Sequence, residues 1–318
     1  MLRFAPIVLF VYNRPEHTKR TVEALLCNDY AKESELIIFA DGAKVGATEK
    51  DIENIRKTRQ YCYSISGFKN VVIHEESSNK GLDPSEIDGI SMVINQYGRV
   101  IVVEDDLITN RFFLRFMNEA LDFYENDKRI YEIAGYADNI QFPVQYIHQH
   151  SIWASYRVES WGWATWKDRW ENNQWDEKKY DIIKFPTSRK IKKFNRGGED
   201  LYGQLLSKLK GETDAWDIRW QHCLNENDGL CIRPIRSLVY NIGFDGTGVH
   251  CGVVDRMKLQ EIKDSLYGDI EYNIKLEENI QLNYLVQRRL QQFFAVNRGT
   301  LLMSFKEKIK KYIRKLNM

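Results

Sequence analysis

Short apolar runs alternate with longer amphipathic stretches through about the first hundred residues. The apolar runs at residues 6–12, 35–42, 70–74 and 100–103 predict strands, of which the first has the pattern of a strand covered on both faces and the second ends in a turn. Between them the spacing predicts a helix that Asn13 caps, with Pro15 in its first turn, and further helices at residues 49–63 and 84–96. Strands that alternate with helices predict an α/β fold with a mainly parallel sheet flanked by helices.

The pattern changes after residue 110, where the sequence becomes more aromatic. Helices are predicted at residues 111–126 and 199–210, and a strand at 131–136. Residues 184–198 are basic and end in two glycines, which predicts a mobile loop. Tryptophans concentrate in the same half of the chain, and we expect most of them in the core because each buries a large area.

Composition narrows the class of protein. The chain has 318 residues, 43% of them hydrophobic, which suits one large domain or two small ones. A net charge of +1 does not indicate a nucleic-acid-binding surface. None of the five cysteines stands in a CxxC pair, so we expect reduced thiols in a cytoplasmic protein. The apolar N-terminal run is too short for a transmembrane helix, and no signal peptide is expected.

Polar residues follow three of the four predicted strands. They are Asn13-Arg14 after the first strand, Asp41-Gly42 after the second and Glu104-Asp105-Asp106 after the fourth. Ligands of doubly wound sheets bind outside the carboxyl ends of the strands. The three polar elements therefore predict a binding site at this edge of the sheet.

The three successive carboxylates are the clearest chemical signal in the chain. Their mutual repulsion is relieved by a hard divalent cation, and Mg²⁺ and Mn²⁺ prefer such oxygen ligands. If the strand continued through them, Glu104 and Asp106 would face one side and Asp105 the other. The alternative is a solvated strand end with helix-capping acids, which needs no metal.

This series of motifs resembles the nucleotide-sugar site of GT-A glycosyltransferases. The acidic motif takes the place of their DxD motif and is similar to the Glu-Asp-Asp variant of N-acetylglucosaminyltransferase I and related bacterial sugar transferases. Further matching segments are Phe112-Phe113, Trp161-Gly162-Trp163, Ala215-Trp216-Asp217 and Cys231-Ile232-Arg233-Pro234. The resemblance covers about residues 5–255 and implies a Rossmann-like GT-A fold followed by a C-terminal helical tail.

The resemblance implies donor-binding roles for the residues at the strand ends. Asp106 would bind the metal, Mn²⁺ or Mg²⁺, while Glu104 and Asp105 would contact the donor sugar or ribose. Arg14, next to Asn13 in the donor site, would neutralise the diphosphate, because a guanidinium binds phosphate oxygens in a fork. The alternative for Arg14 is a surface salt bridge.

Five more positions complete the implied donor and metal site. Asp41 would hydrogen-bond the nucleotide base or ribose, and Asn79 would touch the donor, although both also suit simple turns. Trp163 and Trp216 would line the sugar pocket. His250 would be an additional metal ligand, in a glycine-rich stretch whose backbone amides can approach phosphate. A structural histidine is the alternative.

The implied chemistry needs a general base. An inverting transferase removes a proton from the acceptor hydroxyl, and the base must lie within hydrogen-bond reach of it. Asp217 matches the family's base position, although the second aspartate of that segment is Ile218 here. Asp214 is the alternative base.

These features together predict a metal-dependent, inverting glycosyltransferase that uses a UDP-sugar such as UDP-N-acetylglucosamine. Its acceptor would be a glycan or lipid-linked saccharide of a surface or capsular polysaccharide. The expected division is a nucleotide-sugar half at residues 1–110, an acceptor and catalytic half at 111–260, and a helical extension at 261–318. A sugar nucleotidyltransferase and a non-catalytic carbohydrate-binding protein are the alternatives.

The C-terminal residues 301–318 combine apolar residues at helical spacing with lysines and arginines. This pattern is typical of a basic amphipathic helix on an anionic membrane surface. It predicts peripheral association with the inner face of the plasma membrane. A terminal helix packed on the domain is the alternative.

Overall fold

The structure, a computed structural model, describes residues 2–244 and 272–295. Its strands are β1 (Ile7–Val11), β2 (Glu35–Ala40), β3 (Asn70–Glu75), β4 (Arg99–Glu104), β5 (Leu107–Thr109), β6 (Ile130–Ala134), β7 (Ile152–Ser155), β8 (Trp163–Trp166), β9 (Leu230–Pro234) and β10 (Val239–Asn241). Its helices are α1 (Pro15–Leu26), α2 (Glu49–Tyr63), α3 (Leu82–Tyr97), α4 (Phe113–Phe123), α5 (Val144–Gln149), α6 (Lys167–Trp170), α7 (Asp181–Lys184), α8 (Ser188–Phe194), α9 (Leu201–Leu209) and α10 (Asp217–Glu226). Residues 284–295 are also helical.

An eight-stranded sheet joins both predicted halves of the chain, in the order β3-β2-β1-β4-β8-β6-β9-β7. Strands β1, β2, β3, β4, β6 and β9 point one way, and β7 and β8 run in the opposite direction. This mainly parallel sheet with flanking helices confirms the predicted α/β fold class. Strands β5 and β10 form a separate antiparallel pair.

Hydrophobic cores cover both faces of the sheet. Leu9 and Val103 belong to the core that α1 and α4 cover. Val8 and Val102 belong to the core on the other face, which includes residues of α3 and α10. Because alternate side chains of β1 and β4 are buried on opposite faces, these strands are apolar throughout rather than alternating.

Two local predictions are wrong. Arg14, not Asn13, is the N-cap residue of α1, and Asn13 Nδ2 instead donates a hydrogen bond to Asp51 Oδ1 at 3.0 Å. Pro15 does begin the helix. Residues 184–198 are not a loop throughout, because α8 lies within them. The helix forms there because Phe194 is buried in a small apolar cluster.

The described C-terminal residues pack onto the sheet domain. Val286 and Leu290 lie in a buried cluster with Trp153, and the Tyr124 hydroxyl donates to the Glu277 carbonyl at 3.0 Å. Residues 301–318, where the basic amphipathic helix is predicted, lie outside the described residues. Within the described residues, no helix has the length and apolar character that a membrane span requires. The described cysteines, Cys27, Cys62, Cys223 and Cys231, are free thiols.

Candidate active site

The order of the strands creates a crevice between β1 and β4. From β1 the chain builds outward through β2 and β3, and then returns to place β4 on the other side of β1. Helices that follow neighbouring strands on opposite sides of such a switch point leave a gap at the carboxyl ends of the strands. Arg14 follows β1 and Glu104 ends β4, so the topology brings these predicted site residues together.

The acidic motif forms a turn rather than a strand extension. Strand β4 ends at Glu104, and Asp105 and Asp106 occupy the turn before β5. Thr21 on α1 fixes this turn by donating its hydroxyl to the Asp105 carbonyl at 2.8 Å. The alternation expected for a continuing strand therefore fails, and Asp105 and Asp106 both turn toward Arg14.

Arg14 bridges the two aspartates. Its Nη1 lies 2.9 Å from Asp106 Oδ2, its Nη2 donates to Asp105 Oδ1, and its Nε lies 3.4 Å from Asp105 Oδ2. Asp105 and Asp106 are each only 4% exposed, so water screens the ion pairs little. Burial raises the pKa of Asp105 to about 6, although Arg14 opposes this shift. Arg14 therefore does form a salt bridge, which was the alternative to diphosphate binding, but this salt bridge is largely buried and not on the surface.

Strand β10 closes the site from the other side of Asp106. Ile242 N donates to the Asp106 carbonyl at 2.8 Å, and Asn241 Nδ2 lies 3.4 Å from Asp106 Oδ1. Gly243 lies so close that a Cβ atom there would be 2.3 Å from Asp106 Oδ2. Its amide donates to Asn241 Oδ1 at 2.6 Å, so it does not stand free for phosphate. The remaining glycines of this stretch and His250 lie outside the described residues.

A second group of carboxylates lies on the α3 face of the sheet. Val102 and Glu104 alternate onto this face, where Glu86 of α3 is 1% exposed. Burial and then the charges of Glu104 and Asp217 raise the pKa of Glu86 well above its usual value. Burial and then Asp106 do the same to the pKa of Glu104. Asp217, the first residue of α10, therefore shares one electrostatic environment with the acidic motif.

Sequence reasoning missed Glu86. The residue shares the buried side of α3 with Ile90, Val93 and Ile94, at helical spacing. Its Oε1 is buried and has no hydrogen-bond partner among the residues that the structure describes. A carboxylate on the apolar stripe of a helix is unusual unless something pairs with it. That position in the helical period was the signal that could have identified Glu86.

The two candidate bases occupy different surroundings. Asp214 lines a cavity of about 670 Å³ together with Lys208, Thr213 and Arg219. Asp83 also lines this cavity and pairs with both Lys208 and Arg219, the latter at 2.8 Å. Asp217 instead lies close enough to Glu86 and Glu104 to act on their ionisation. The effect of the Asp217 charge on Glu86 and Glu104 associates Asp217, more than Asp214, with the acidic motif.

Asp41 and Asn79 lie next to each other, but their side chains hydrogen-bond to each other rather than standing ready for a donor. The Asp41 carboxylate accepts hydrogen bonds from the amides of Gly42, Lys80 and Gly81 at 2.8, 2.8 and 3.1 Å. It also accepts from Asn79 Nδ2 at 2.7 Å. A carboxylate has about four acceptor positions, so these bonds fill it. Asp41 organises the loop after β3 in this structure, rather than offering oxygens to a base or ribose.

Trp163 and Trp216 lie in the core and do not line an open pocket. They are 0% and 3% exposed, and their ring centroids are 5.4 Å apart. Trp170 and Trp220 complete the same cluster. Their ring surfaces are covered by one another, so the expectation of a sugar pocket at these two positions is corrected. The general expectation that most tryptophans are core residues agrees with this cluster.

The chemistry of the acidic turn fits a divalent cation. Burial, and then neighbouring carboxylates, raise the pKa of Glu86 and Glu104, and burial raises that of Asp105, while the Arg14 guanidinium opposes the shift at Glu104 and Asp105. Oxygen ligands and excess negative charge suit Mn²⁺ or Mg²⁺. Among the described residues, no group of three His, Cys, Asp or Glu side chains is already arranged around one point for a metal. Binding would therefore need side chains to rearrange.

No protein-family model and no curated protein sequence matches the chain. Comparison with solved structures finds S. aureus TarS 1–349, with a TM-score of 0.44, 12% identity, and coverage of 83% of this chain and 70% of that chain. A second match is the mannosyltransferase PcManGT from Pyrobaculum calidifontis in complex with GDP-Man and Mn²⁺, with a TM-score of 0.38, 11% identity, and coverage of 71% and 70%. A second structure of S. aureus TarS gives 0.43, 13%, 85% and 41%. With TM-scores below 0.5, these likenesses carry no weight for the function of the chain.

Proposed function

We propose that this protein is a metal-dependent GT-A glycosyltransferase, as its motifs suggest. It takes a sugar from a nucleotide-sugar donor, a UDP-sugar such as UDP-N-acetylglucosamine, and transfers it with inversion to a glycan or lipid-linked saccharide. One observation carries the proposal. The acidic turn, its arginine partner Arg14 and the carboxylate of Asp217 converge at the switch point of a doubly wound sheet, where such folds bind ligands.

The donor diphosphate is assigned to the gap between β1 and β4. Asp105 and Asp106 are the residues that would hold Mn²⁺ or Mg²⁺, and the metal would supply positive charge for the leaving diphosphate. Arg14 is the N-cap residue of α1, and the amides at a helix N-terminus attract anions. The guanidinium and the start of α1 therefore offer phosphate oxygens two kinds of donor in one place.

Asp217 is the proposed general base. It takes the proton from the acceptor hydroxyl, which makes that oxygen nucleophilic toward the anomeric carbon of the donor. A single displacement from the face opposite the leaving group inverts the anomeric configuration. The position of Asp217 at the start of α10 supports this role, since it shares the surroundings of Glu104 on the α3 face.

The cavity beside α10 is the proposed acceptor site. Its lining carries carboxylates, a threonine hydroxyl and the cations Lys208 and Arg219. Hydroxyl-rich ligands hydrogen-bond to such mixed groups as both donors and acceptors. The cavity adjoins the first turns of α3 and α10, because Asp83 and Arg219 both line it. An acceptor seated there would approach Asp217.

Two alternatives lose support at this site. A sugar nucleotidyltransferase usually has a glycine- and lysine-rich phosphate loop after its first strand, whereas β1 here is followed by Asn13, Arg14 and Pro15. A carbohydrate-binding protein would use exposed tryptophan faces, whereas Trp163 and Trp216 are buried.

Donor turnover tests the proposal. The full chain is incubated with UDP-, GDP- and ADP-sugars and Mn²⁺, and release of nucleoside diphosphate is measured with and without saccharide acceptors. We expect one nucleotide class to be consumed, only when the metal is present, and nuclear magnetic resonance to show an inverted anomeric product. If no nucleotide sugar is consumed with any metal, the proposal is wrong.

A further inference from the structure

We infer that Arg14 is a specificity-determining residue, which makes the acidic turn accept a divalent cation together with a diphosphate and disfavour the cation alone. The inference rests on the proposed function, because it assumes that the turn binds a metal and a nucleotide. It goes beyond a phosphate-binding role for Arg14. The guanidinium already sits on the carboxylates that the metal requires.

The contacts of Arg14 show how closely it engages both aspartates of the turn. Each carboxylate of Asp105 and Asp106 receives a guanidinium nitrogen, and Asp105 receives two. The Arg14 side chain is 19% exposed and each aspartate side chain 6%, so the pairs are shielded from water. Removing one partner from a buried ion pair is strongly unfavourable, because the other charge is left without compensation. A bare cation must therefore compete with a well-placed internal counterion.

Arg14 needs a new partner once a cation binds both aspartates. If a cation took over both carboxylates, the displaced guanidinium would lie beside a doubly charged ion and repel it. A diphosphate removes this problem, because guanidinium binds phosphate oxygens in a fork and the anion lies between the two cations. The start of α1, where Arg14 is the N-cap residue, is a favourable place for that anion.

Two consequences follow from this exchange of partners. Cation and diphosphate should bind with positive coupling, and by linkage each should strengthen the other by the same factor. Removing the guanidinium should tighten binding of the cation alone and weaken the coupling, which then rests only on the direct contact between metal and diphosphate. Lysine at position 14 should behave in between, because a point charge cannot bridge both aspartates as a planar guanidinium does.

The test measures Mn²⁺ binding by electron paramagnetic resonance, with and without UDP, so its readout does not depend on activity. The proteins are the full-length wild type, Arg14→Gln, Arg14→Lys and the control Arg3→Gln. Arg3 pairs with Glu125 near Arg99, at the edge where β4 begins and thus away from the site. Circular dichroism checks that each variant is folded, and Arg14→Lys keeps the positive charge if the glutamine variant unfolds.

We expect Arg14→Gln to bind Mn²⁺ alone at least about tenfold more tightly than the wild type, a factor within the usual range of coupling between two ligands. UDP should tighten Mn²⁺ binding at least about tenfold more in the wild type and in Arg3→Gln than in Arg14→Gln, where only the direct contact between metal and diphosphate couples the two ligands. If UDP binds the wild type but Arg14→Gln binds Mn²⁺ alone no better, only this inference is overturned. If UDP never binds the wild type at any Mn²⁺ concentration, the proposed function falls and the inference with it.

Discussion

Arg14 Nη1 lies 2.9 Å from Asp106 Oδ2, and this contact joins the ends of β1 and β4 across the crevice of the sheet. The same guanidinium also binds Asp105. Because both aspartates are buried, the acidic turn depends on this residue for its charge balance in the absence of a ligand. Any ligand of the turn therefore acts on Arg14 as well as on the carboxylates.

Replacing Asp217 tests its role as general base. Asp217→Asn should lower kcat at least about a hundredfold, since general-base catalysis contributes factors of this size, and should leave UDP affinity within about threefold. Steady-state kinetics and UDP titration measure the two effects. Asp214→Asn is the matched control, because Asp214 lines the adjoining cavity, and it should mainly change the KM for the acceptor. Near-normal turnover in Asp217→Asn with an inactive Asp214→Asn would make Asp214 the base.

Glu86 should make stability depend on pH. Its pKa is raised in the folded protein by burial and then by Glu104 and Asp217, so the folded state holds a proton that the unfolded chain releases near pH 4.3, the approximate ordinary value. Stability contributed by this group is complete below that pH and is lost as pH rises toward the folded-state pKa.

Glu86→Gln removes this loss, since the amide carries no charge. At pH 8 the variant should be more stable than the wild type by about 1 kcal/mol or more, and at pH 4 the difference should be small. Urea unfolding at both pH values measures the free energy of unfolding. A variant that is less stable than the wild type at pH 8 contradicts a buried carboxyl with a raised pKa.

Replacing Asp41 should lower the stability of the protein more than it weakens nucleotide binding. Asp41→Asn places an amide donor against backbone and side-chain donors that now share the carboxylate, and should cost about 1–3 kcal/mol in free energy of unfolding. Asn79→Ala removes one of those bonds and should cost about 1 kcal/mol. Denaturant unfolding measures both. Wild-type stability in Asp41→Asn, with weakened UDP binding, would instead favour the direct nucleotide contact that the motif implies.

Gly243 should be needed to keep Asp106 in place. A methyl group at this position would meet Asp106 Oδ2 at 2.3 Å and Asn241 Oδ1 at 3.0 Å, so Gly243→Ala must push the carboxylate aside. We expect Mn²⁺-dependent UDP affinity to fall at least about tenfold, because displacing the carboxylate should cost about 1–2 kcal/mol of binding free energy. Gly46→Ala is a control for glycine replacement without crowding, since a Cβ there meets nothing within 4 Å, and the strain from its φ of 77° arises away from Asp106. Equal UDP affinity in Gly243→Ala and the wild type would show that Asp106 can move freely.

The first half of the fold was predictable because β1, β2 and β4 are buried on both faces. Their apolar runs are short and rich in β-branched residues, which distinguishes them from helices, and α2 was predicted with its observed bounds, Glu49–Tyr63. The second half offered weaker signals. Strand β8 has only four residues, Trp163–Trp166, and its composition indicated a tryptophan cluster rather than a strand. Strand β10 has three, and its pairing with β5 joins segments far apart in the chain.

The location of the site was predictable, but its internal contacts were not. Parallel strands bring their carboxyl ends together, so Arg14 and the acidic motif had to meet. Which polar groups pair there depends on the loops. The acceptor positions of the Asp41 carboxylate are occupied because residues 79–81 fold back onto it. The turn at Asp105 depends on where β4 ends. Glu86 comes from a helix between the motifs, so strand-end patterns do not include it.

The central claim is that the acidic turn binds a metal that in turn binds a nucleoside diphosphate. Isothermal titration of UDP, GDP and ADP, with and without Mn²⁺, tests it on the wild type, on Asp106→Ala and on Asp168→Ala. Asp168 is an exposed acidic control that pairs with Lys128. The account predicts that one nucleotide binds only with Mn²⁺, and that Asp106→Ala loses this binding while Asp168→Ala keeps it. Metal-independent binding, or binding that survives in Asp106→Ala, would contradict the account.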